Sequence, residues 1–537
     1  MSTAATTLNV AHFLDRAVRL SPDRPAVICG PTRLTYAQLD FMARQIAGAL
    51  RARGIGPGSR VMLSCPNVPY FPAAYFGILK AGATVVPLNV LLKPAEIAFH
   101  LRDADASAYF CFEGTPELPM AAMGKAAVDE VASCRHFVVM PRTPAAPPAI
   151  DGATLLEAFV TGHGGAVFTE GTRPDDTAVI LYTSGTTGQP KGAELTHLNI
   201  TLNAMSSSDI LVVPCRIGLD APVVSLITLP LFHSFGQVCQ LVSGVHSGNT
   251  LVLLPRFDAA AVVQTMLAEG VNLWCGVPTM YWALMDLLRR AESGEPGAPA
   301  IDVPAIAAKM RLCVSGGAPM PVTLLDEIGR RLGVRVLEGY GLSETSPVAT
   351  FNHLERPSKP GTVGQPLLGV EIACVGDTDE PVATGERGEV VIRGPNIMKG
   401  YFRQPEATAE VLRNGWFHTG DIGILDADGY LAIVDRKKDM ILRGGFNVYP
   451  REVEELLLTH PAVSQCAVVG VPDERLGEEV KAFIVCRPGQ STTEGAIVAW
   501  CRERIATYKA PRYVELRETL PMGATGKVLK RVLRAGT

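Results

Sequence analysis

The hydrophobic positions of this chain change period repeatedly, and each change marks an element. In the opening segment MSTAATTLNVAHFLDRAVRL, the charged residues Asp15, Arg16 and Arg19 interrupt the apolar positions. That pattern predicts an amphipathic helix rather than the unbroken apolar stretch of a secretory leader. Short runs rich in β-branched residues then alternate with helical patterns through roughly the first 430 residues, as expected of α/β layers built on mainly parallel sheets. Two stretches rich in Ala, Pro and Gly, TPAAPPA at 143–149 and GEPGAPA at 294–300, carry no period. Strand patterns resume on both sides of each, so they predict surface loops and not domain boundaries. The boundary is expected later: DADGYLAIVDRKK at 426–438 passes from a turn through a short strand into a cluster of charges, and a smaller α/β pattern follows. We expect a large domain over 1–434, a hinge at 435–438 and a small domain over 439–537.

Composition narrows the classes. A chain of 537 residues with 47% hydrophobic and 19% charged residues suits a globular enzyme with more than one core. A net charge of −4 creates no overall field that would gather nucleic acid or an anionic membrane. The most apolar segments, 223–231 and 250–254, fall far short of the roughly 20 residues needed to cross a bilayer. No transmembrane span is expected, which leaves peripheral membrane contact open. The 12 cysteines are scattered singly from Cys29 to Cys501 with no CxxC pair, and predict buried thiols in a reducing, cytoplasmic setting. A monomer or a homodimer satisfies everything read so far.

The strongest local signal is LYTSGTTGQPKG at 181–192, where a strand-like approach gives way to hydroxyl residues and glycines and ends on a lysine. Gly185 and Gly188 let backbone N–H groups turn toward an anion, Thr183, Ser184, Thr186 and Thr187 add hydroxyl donors, and Lys191 adds a point charge. The loop lacks both the GK[ST] ending of a P-loop and the GxGxxG of a dinucleotide fold. Taken alone it is as compatible with a flexible turn as with a phosphate site.

Four further segments accompany it in order: EGYGLSETSP at 338–347, GWFHTGDIG at 415–423, DRKKDMILRGGFNVYP at 435–450 and PMGATGKVLKR at 521–531. Together the five motifs resemble the acyl-adenylate-forming superfamily, which includes acyl-CoA synthetases, luciferases and the adenylation domains of peptide synthetases. The resemblance covers nearly the whole chain. It implies an α/β fold whose large N-terminal domain adds a small β-barrel-like subdomain, with a mobile C-terminal α+β domain. It implies ATP, Mg²⁺ and CoA as cofactors, and a small-molecule carboxylic acid as the partner that is activated.

The same resemblance implies roles. The loop from Thr183 to Lys191 holds the β- and γ-phosphates. Glu344, with Thr186, ligates Mg²⁺, a role suited to hard oxygen donors beside phosphate. Gly339, Tyr340, Gly341 and Ser343 surround the adenine and the passing substrate, and Asp421 accepts hydrogen bonds from the ribose hydroxyls. Arg436 contacts ribose or phosphate. Lys527 bridges the substrate carboxylate and the α-phosphate, where a cation offsets the repulsion between two anions. Lys438 stands at the hinge; rotation there would withdraw Lys527 and bring in Gly444 and Gly445, past whose bare backbone pantetheine slides.

The acyl pocket follows from LPLFHSFGQ at 229–237, which has no acidic residue to pair the ammonium of an amino acid substrate. His233 either gates this pocket or packs into its wall. Val277, Gly316, Gly317 and Ala318 complete the lining, and their small size, with Gly339, suggests a channel for a slim acyl chain or a flat ring. We therefore expect a free-standing CoA ligase acting on a medium- or long-chain fatty acid, with an aryl or cinnamate-type acid as the alternative. A luciferase-like or other non-CoA adenylating enzyme shares the motifs and is the more remote alternative. A hydrolytic NTPase or kinase would carry GK[ST] or an HRD and DFG pair, and a mere nucleotide sensor would not need both Lys527 and Glu344.

Overall fold

In the computed structural model, residues 6–144, 147, 150–164, 167–183, 189–216, 221–357, 359–444, 446–523 and 526–535 are described. The opening pattern forms a helix at His12–Leu20, with Leu14 and Ala17 turned into the core. The next helix, Tyr36–Arg51, starts on a capping box: Thr35 Oγ1 accepts from Gln38 N, and the Gln38 side chain accepts from Thr35 N. Both orphan donors are thereby satisfied. Leu39, Ala43, Ile46, Ala47 and Leu50 then follow at helical spacing and are buried.

Among the described residues the strands assemble into four sheets. The first runs, in spatial order, Gly400–Tyr401, Lys191–Thr196, Thr177–Thr183, Thr84–Pro87, Arg60–Ser64, Ala108–Phe112, His136–Met140 and Thr154–Leu155. The second contains a parallel core of Pro25–Cys29, Thr250–Leu253, Val224–Ile227, Leu273–Gly276, Leu312–Ser315 and Val336–Gly341. Strands such as LWCG (273–276) and LCVS (312–315) are buried at every position, which is why they show no alternation of apolar and charged residues.

The third sheet is antiparallel: Glu371–Val375, Arg387–Arg393, Trp416–Leu425 and Leu412–Arg413, with Leu431–Arg436 also paired to Trp416–Leu425. It is the subdomain expected to resemble a barrel, but among the described residues it is open. The strand Trp416–Leu425 serves several partners while the outermost strands do not pair with one another.

The last strand of that sheet ends at Arg436, and the first strand of the fourth sheet begins at Ile441. The fourth sheet is dominated by the long hairpin Val463–Asp473 with Gly477–Cys486 and is flanked by helices Pro450–Leu458 and Glu494–Arg502. Its own core contains Ile441, Val453, Leu457, Val463, Val480, Ile484 and Ile497, separate from the two N-terminal cores. The protein is thus a large α/β domain with a small α+β domain at its C-terminus. Among the described residues no helix is long and apolar enough to cross a membrane.

Candidate functional site

Ligands of open α/β sheets bind outside the carboxyl ends of the strands, and most of the residues singled out above lie there. Strand Thr177–Thr183 runs into the Gly/Ser/Thr loop and the chain returns as Lys191–Thr196, with Thr183 and Lys191 opposite each other across the ladder. Ser184, Gly185, Thr186, Thr187 and Gly188 lie outside the described residues. At the base of the loop, Thr183 Oγ1 lies 3.5 Å from the Lys191 carbonyl and 3.4 Å from Glu344 Oε1. Glu344 is buried in the short turn Ser343–Thr345, which also holds Ser343. Its Oε1 accepts a hydrogen bond of 2.9 Å from the Tyr401 hydroxyl, and the Tyr401 ring lies 5.2 Å from the Lys191 ammonium. A carboxylate, two hydroxyls and a cation therefore share the mouth of the loop. Tyr401 was not foreseen; its only trace in the sequence is an ordinary Gly-Tyr pair.

This donor set fits a Mg²⁺ ion held together with phosphate. Among the described residues no group of three or more His, Cys, Asp or Glu side chains could cage a metal. Mg²⁺ is commonly held by one or two carboxylates and completes its shell with water and phosphate oxygens.

The second cluster sits at the end of strand Val336–Gly341. Here glycine is a steric requirement: a Cβ on Gly341 would fall 1.8 Å from the Pro347 carbonyl oxygen, and one on Gly339 2.4 Å from the Phe351 ring. Tyr340, between them, donates from its hydroxyl to Asp421 Oδ2 at 2.6 Å, while Arg436 Nε lies 3.2 Å from Asp421 Oδ1. Burial raises the Asp421 carboxyl above its ordinary value, and Arg436 opposes the rise. Burial also pushes the Tyr340 phenol well up, so it stays a donor. The hydroxyl contact gives Tyr340 a second role beyond the adenine stacking implied by resemblance. Asp421 keeps unused lone-pair positions, because a carboxylate offers about four.

The third cluster joins the two domains. Gly526, at φ +74°, accepts a hydrogen bond from Thr279 Oγ1 at 3.2 Å, and a Cβ on it would lie 2.9 Å from Val277 Cγ2. This seats the next residue, Lys527, over Gly317, whose Cβ, if present, would lie 3.2 Å from Lys527 Cε. Desolvation first and Arg436 second lower the Lys527 pKa to about 8, with Asp421 opposing. His233 is pushed down to about 4, first by burial and then by Lys527, so it is neutral at physiological pH. Its Nδ1 accepts from Phe235 N at 3.3 Å, which assigns the proton to Nε2. Gly316 is covered by the Phe235 ring, 2.9 Å from where a Cβ would stand, and Ala318 is half-buried beside it. The two glycines Gly316 and Gly339 thus make room for the protein's own rings. The open channel inferred from their small size is not what their neighbours show.

Lys438 is exposed beyond the end of strand Leu431–Arg436. Gly444 turns at φ +58°, with Leu476 of the C-terminal domain its nearest neighbour, and Gly445 lies outside the described residues. Arg443, beside them, is ion-paired with the fully buried Glu479.

Two family models match the chain: AMP-binding enzyme over residues 14–402 and AMP-binding enzyme C-terminal domain over 452–527. A feruloyl-CoA synthase from Amycolatopsis sp is 38% identical over 524 residues, covering 97% of each chain. A long-chain-fatty-acid–CoA ligase from Bacillus subtilis (strain 168) is 34% identical over 97% of this chain and 92% of its own. Among solved structures, an anthranilate CoA ligase in complex with anthranoyl-AMP superposes with a TM-score of 0.88 at 28% identity, covering 99% of this chain and 98% of that one. The chain belongs to the AMP-binding enzyme family, as an AMP-forming acid–CoA ligase that works with ATP, Mg²⁺ and CoA.

Proposed function

We propose that this ligase activates an aryl or cinnamate-type carboxylic acid in preference to a fatty acid. The observation that carries this reading is the Phe235 ring laid over Gly316, with its backbone bonded to His233, and Val277 close by over Gly317. An aromatic ring at the acid side of the Lys527 seat suits a flat aryl acid, which gains from ring–ring contact as well as from burial. The 38% identity with a feruloyl-CoA synthase points the same way, while the 34% identity with a long-chain fatty acid ligase keeps the chain-acid reading as the alternative.

On this reading the acid enters beside His233, whose neutral Nε2–H donates without competing with Lys527 for charge. Lys191 and the hydroxyl loop take the β- and γ-phosphates; Asp421 and Arg436 take the ribose, and Tyr340 the adenine. Glu344, with Thr186, holds Mg²⁺, whose charge neutralises the phosphates. Lys527 stands between the acid carboxylate and the α-phosphate. The carboxylate oxygen attacks phosphorus, the bond to the bridging oxygen breaks, and pyrophosphate leaves. The small domain then turns at 435–438 about Lys438, so that Gly444 and Gly445 replace Lys527 and the CoA thiol attacks the acyl carbon, releasing AMP. The cytoplasm supplies both ATP and CoA and suits this chemistry.

The test is a panel of acids scored by pyrophosphate release with and without CoA: ferulate, coumarate and benzoate against saturated acids from acetate to palmitate. We expect an aryl acid to give the highest kcat/KM and AMP to be the nucleotide product. A saturated acid of about eight to sixteen carbons outperforming every aryl acid would overturn the assignment, since each buried methylene adds roughly 0.8 kcal/mol in a channel built for a chain.

A further inference from the structure

The segment 398–402 is tied to the nucleotide site at more points than a surface connection needs. Met398 N donates to the Glu344 carbonyl at 2.8 Å and Phe402 N to the Gly192 carbonyl at 2.7 Å. Between them Gly400–Tyr401 forms a two-residue strand on Lys191–Thr196, with Tyr401 opposite Ala193. Tyr401 N donates to Thr408 Oγ1 at 2.9 Å, which itself donates to the Gln404 carbonyl at 2.8 Å. The backbone of Tyr401 is therefore held from both sides, by the strand Lys191–Thr196 and by Thr408. Its side chain points the hydroxyl at Glu344 Oε1 and turns the ring toward Lys191.

We propose that Tyr401 is a positioning residue of the metal–nucleotide site. It anchors one oxygen of the Glu344 carboxylate so that the other faces the cation, and its ring fixes the Lys191 ammonium at the mouth of the phosphate loop. The chemistry favours this role. A phenol hydroxyl is a donor to an ionised carboxylate, and here it lies 2.9 Å from Glu344 Oε1. Thr183 Oγ1, at 3.4 Å from the same oxygen against 2.9 Å for the phenol, is the weaker of the two donors. A hydrogen bond to an ionised acceptor is stronger than one between neutral groups, and it narrows the orientations the carboxylate samples. The ring adds a cation–π contact that keeps Lys191 over the anion path. Both contacts converge on residues assigned to the metal and the phosphates, whereas packing alone would need only the ring.

The inference rests on the reading of Glu344 as a metal ligand, and the test separates the two. Mn²⁺ binding to the full-length protein, saturated with a non-hydrolysable ATP analogue, is measured by the loss of the free Mn²⁺ electron paramagnetic resonance signal. The variants are Tyr401→Phe, which keeps the ring and removes the donor, and Glu344→Gln. We expect the Mn²⁺ dissociation constant to rise by about tenfold to a hundredfold in Tyr401→Phe, the range for one hydrogen bond to a charged group. Thioester formation from a supplied acyl-adenylate and the thermal midpoint should stay near their wild-type values. Tyr401→Leu, which also removes the ring, should raise KM for ATP beyond the effect of Phe. If Glu344→Gln weakens Mn²⁺ and Tyr401→Phe does not, the inference is overturned and the metal assignment stands. If Glu344→Gln leaves Mn²⁺ binding unchanged, the metal assignment itself fails. A Tyr401→Phe protein that loses thermal stability and both half-reactions alike shows a structural role and also overturns the inference.

Discussion

Lys527 makes the adenylation step sensitive to pH in a range where a free lysine would not titrate. Its ammonium is desolvated between the domains and sits near Arg436, and together these bring its pKa from 10.5 to about 8, with Asp421 opposing. The sign follows from its proposed role. Only the charged form offsets repulsion between the acid and the α-phosphate, so activity is present below pH 8 and falls above it. About three quarters of the lysine is charged at pH 7.5 and about a tenth at pH 9, so kcat/KM for adenylation should fall about eightfold across that interval. With a pKa near 10.5 the same interval would produce almost no change. The assay is acid-dependent exchange of pyrophosphate into ATP without CoA, which isolates the first half-reaction from titration of the CoA thiol. Lys527→Arg, charged at every pH, should flatten the profile even if its rate is lower. Lys527→Ala should reduce adenylation on the order of a hundredfold or more, as for loss of one preorganised electrostatic group, and spare thioester formation from preformed adenylate. A wild-type profile that stays level to pH 9, or an alkaline fall that survives in Lys527→Arg, would refute the reasoning.

The remaining predictions address docking and stability. Gly526→Ala would place a Cβ 2.9 Å from Val277 Cγ2 and 3.0 Å from Thr279 Oγ1 at a backbone φ of +74°, so it should prevent Lys527 from seating. Exchange of pyrophosphate should then fall, while thioester formation from supplied adenylate continues; equal loss of both would argue against docking as the cause. Arg443→Ala leaves the Glu479 carboxylate, 0% exposed, without its cation. That should destabilise the C-terminal domain by about 3–5 kcal/mol, seen as an early thermal transition, and Arg443→Ala with Glu479→Leu should recover most of it.

What could be read in the sequence was whatever is carried by neighbours along the chain. The α/β class was legible because strands such as 273–276 and 312–315 are short runs with almost no polar residue, and the loop at 181–192 because its hydroxyls, glycines and lysine are consecutive. Tyr401 was not legible, since its meaning depends on Glu344, which only the pairing of Gly400–Tyr401 with Lys191–Thr196 brings within reach. Gly316 and Gly339 misled for a related reason. A glycine records the absence of a side chain but not what occupies the space, and here Phe235 and Phe351 do. Arg443, next to the glycines of its motif, is engaged inside the small domain, because its partner Glu479 lies on a strand of the same domain and far along the chain. The openness of the antiparallel sheet likewise depends on which strand edges meet, and no local pattern encodes that.

The lowered pKa of Lys527 also bears on why the small domain would move when it does. A base whose pKa is lower when docked than when free binds fewer protons in the docked state between pH 8 and 10.5, so docking strengthens as pH rises through that window and is least favoured below it. At neutral pH, seating the charged lysine without its anions therefore costs on the order of 3 kcal/mol, more than the single hydrogen bond from Thr279 to the Gly526 carbonyl returns. The phosphates of ATP and the carboxylate of the acid supply the negative charge that offsets this cost, so substrate binding favours the adenylating arrangement. Departure of pyrophosphate removes most of that charge and leaves Lys527 beside Arg436 with Asp421 as the principal counterion, so the docked state loses its advantage when the adenylate has formed. If so, the bound substrates raise the pKa of Lys527, and the alkaline limb of kcat must break at higher pH than that of kcat/KM. Coincident breaks in the two profiles would mean that the anions do not reach the lysine, and the electrostatic account of domain rotation would fail with them.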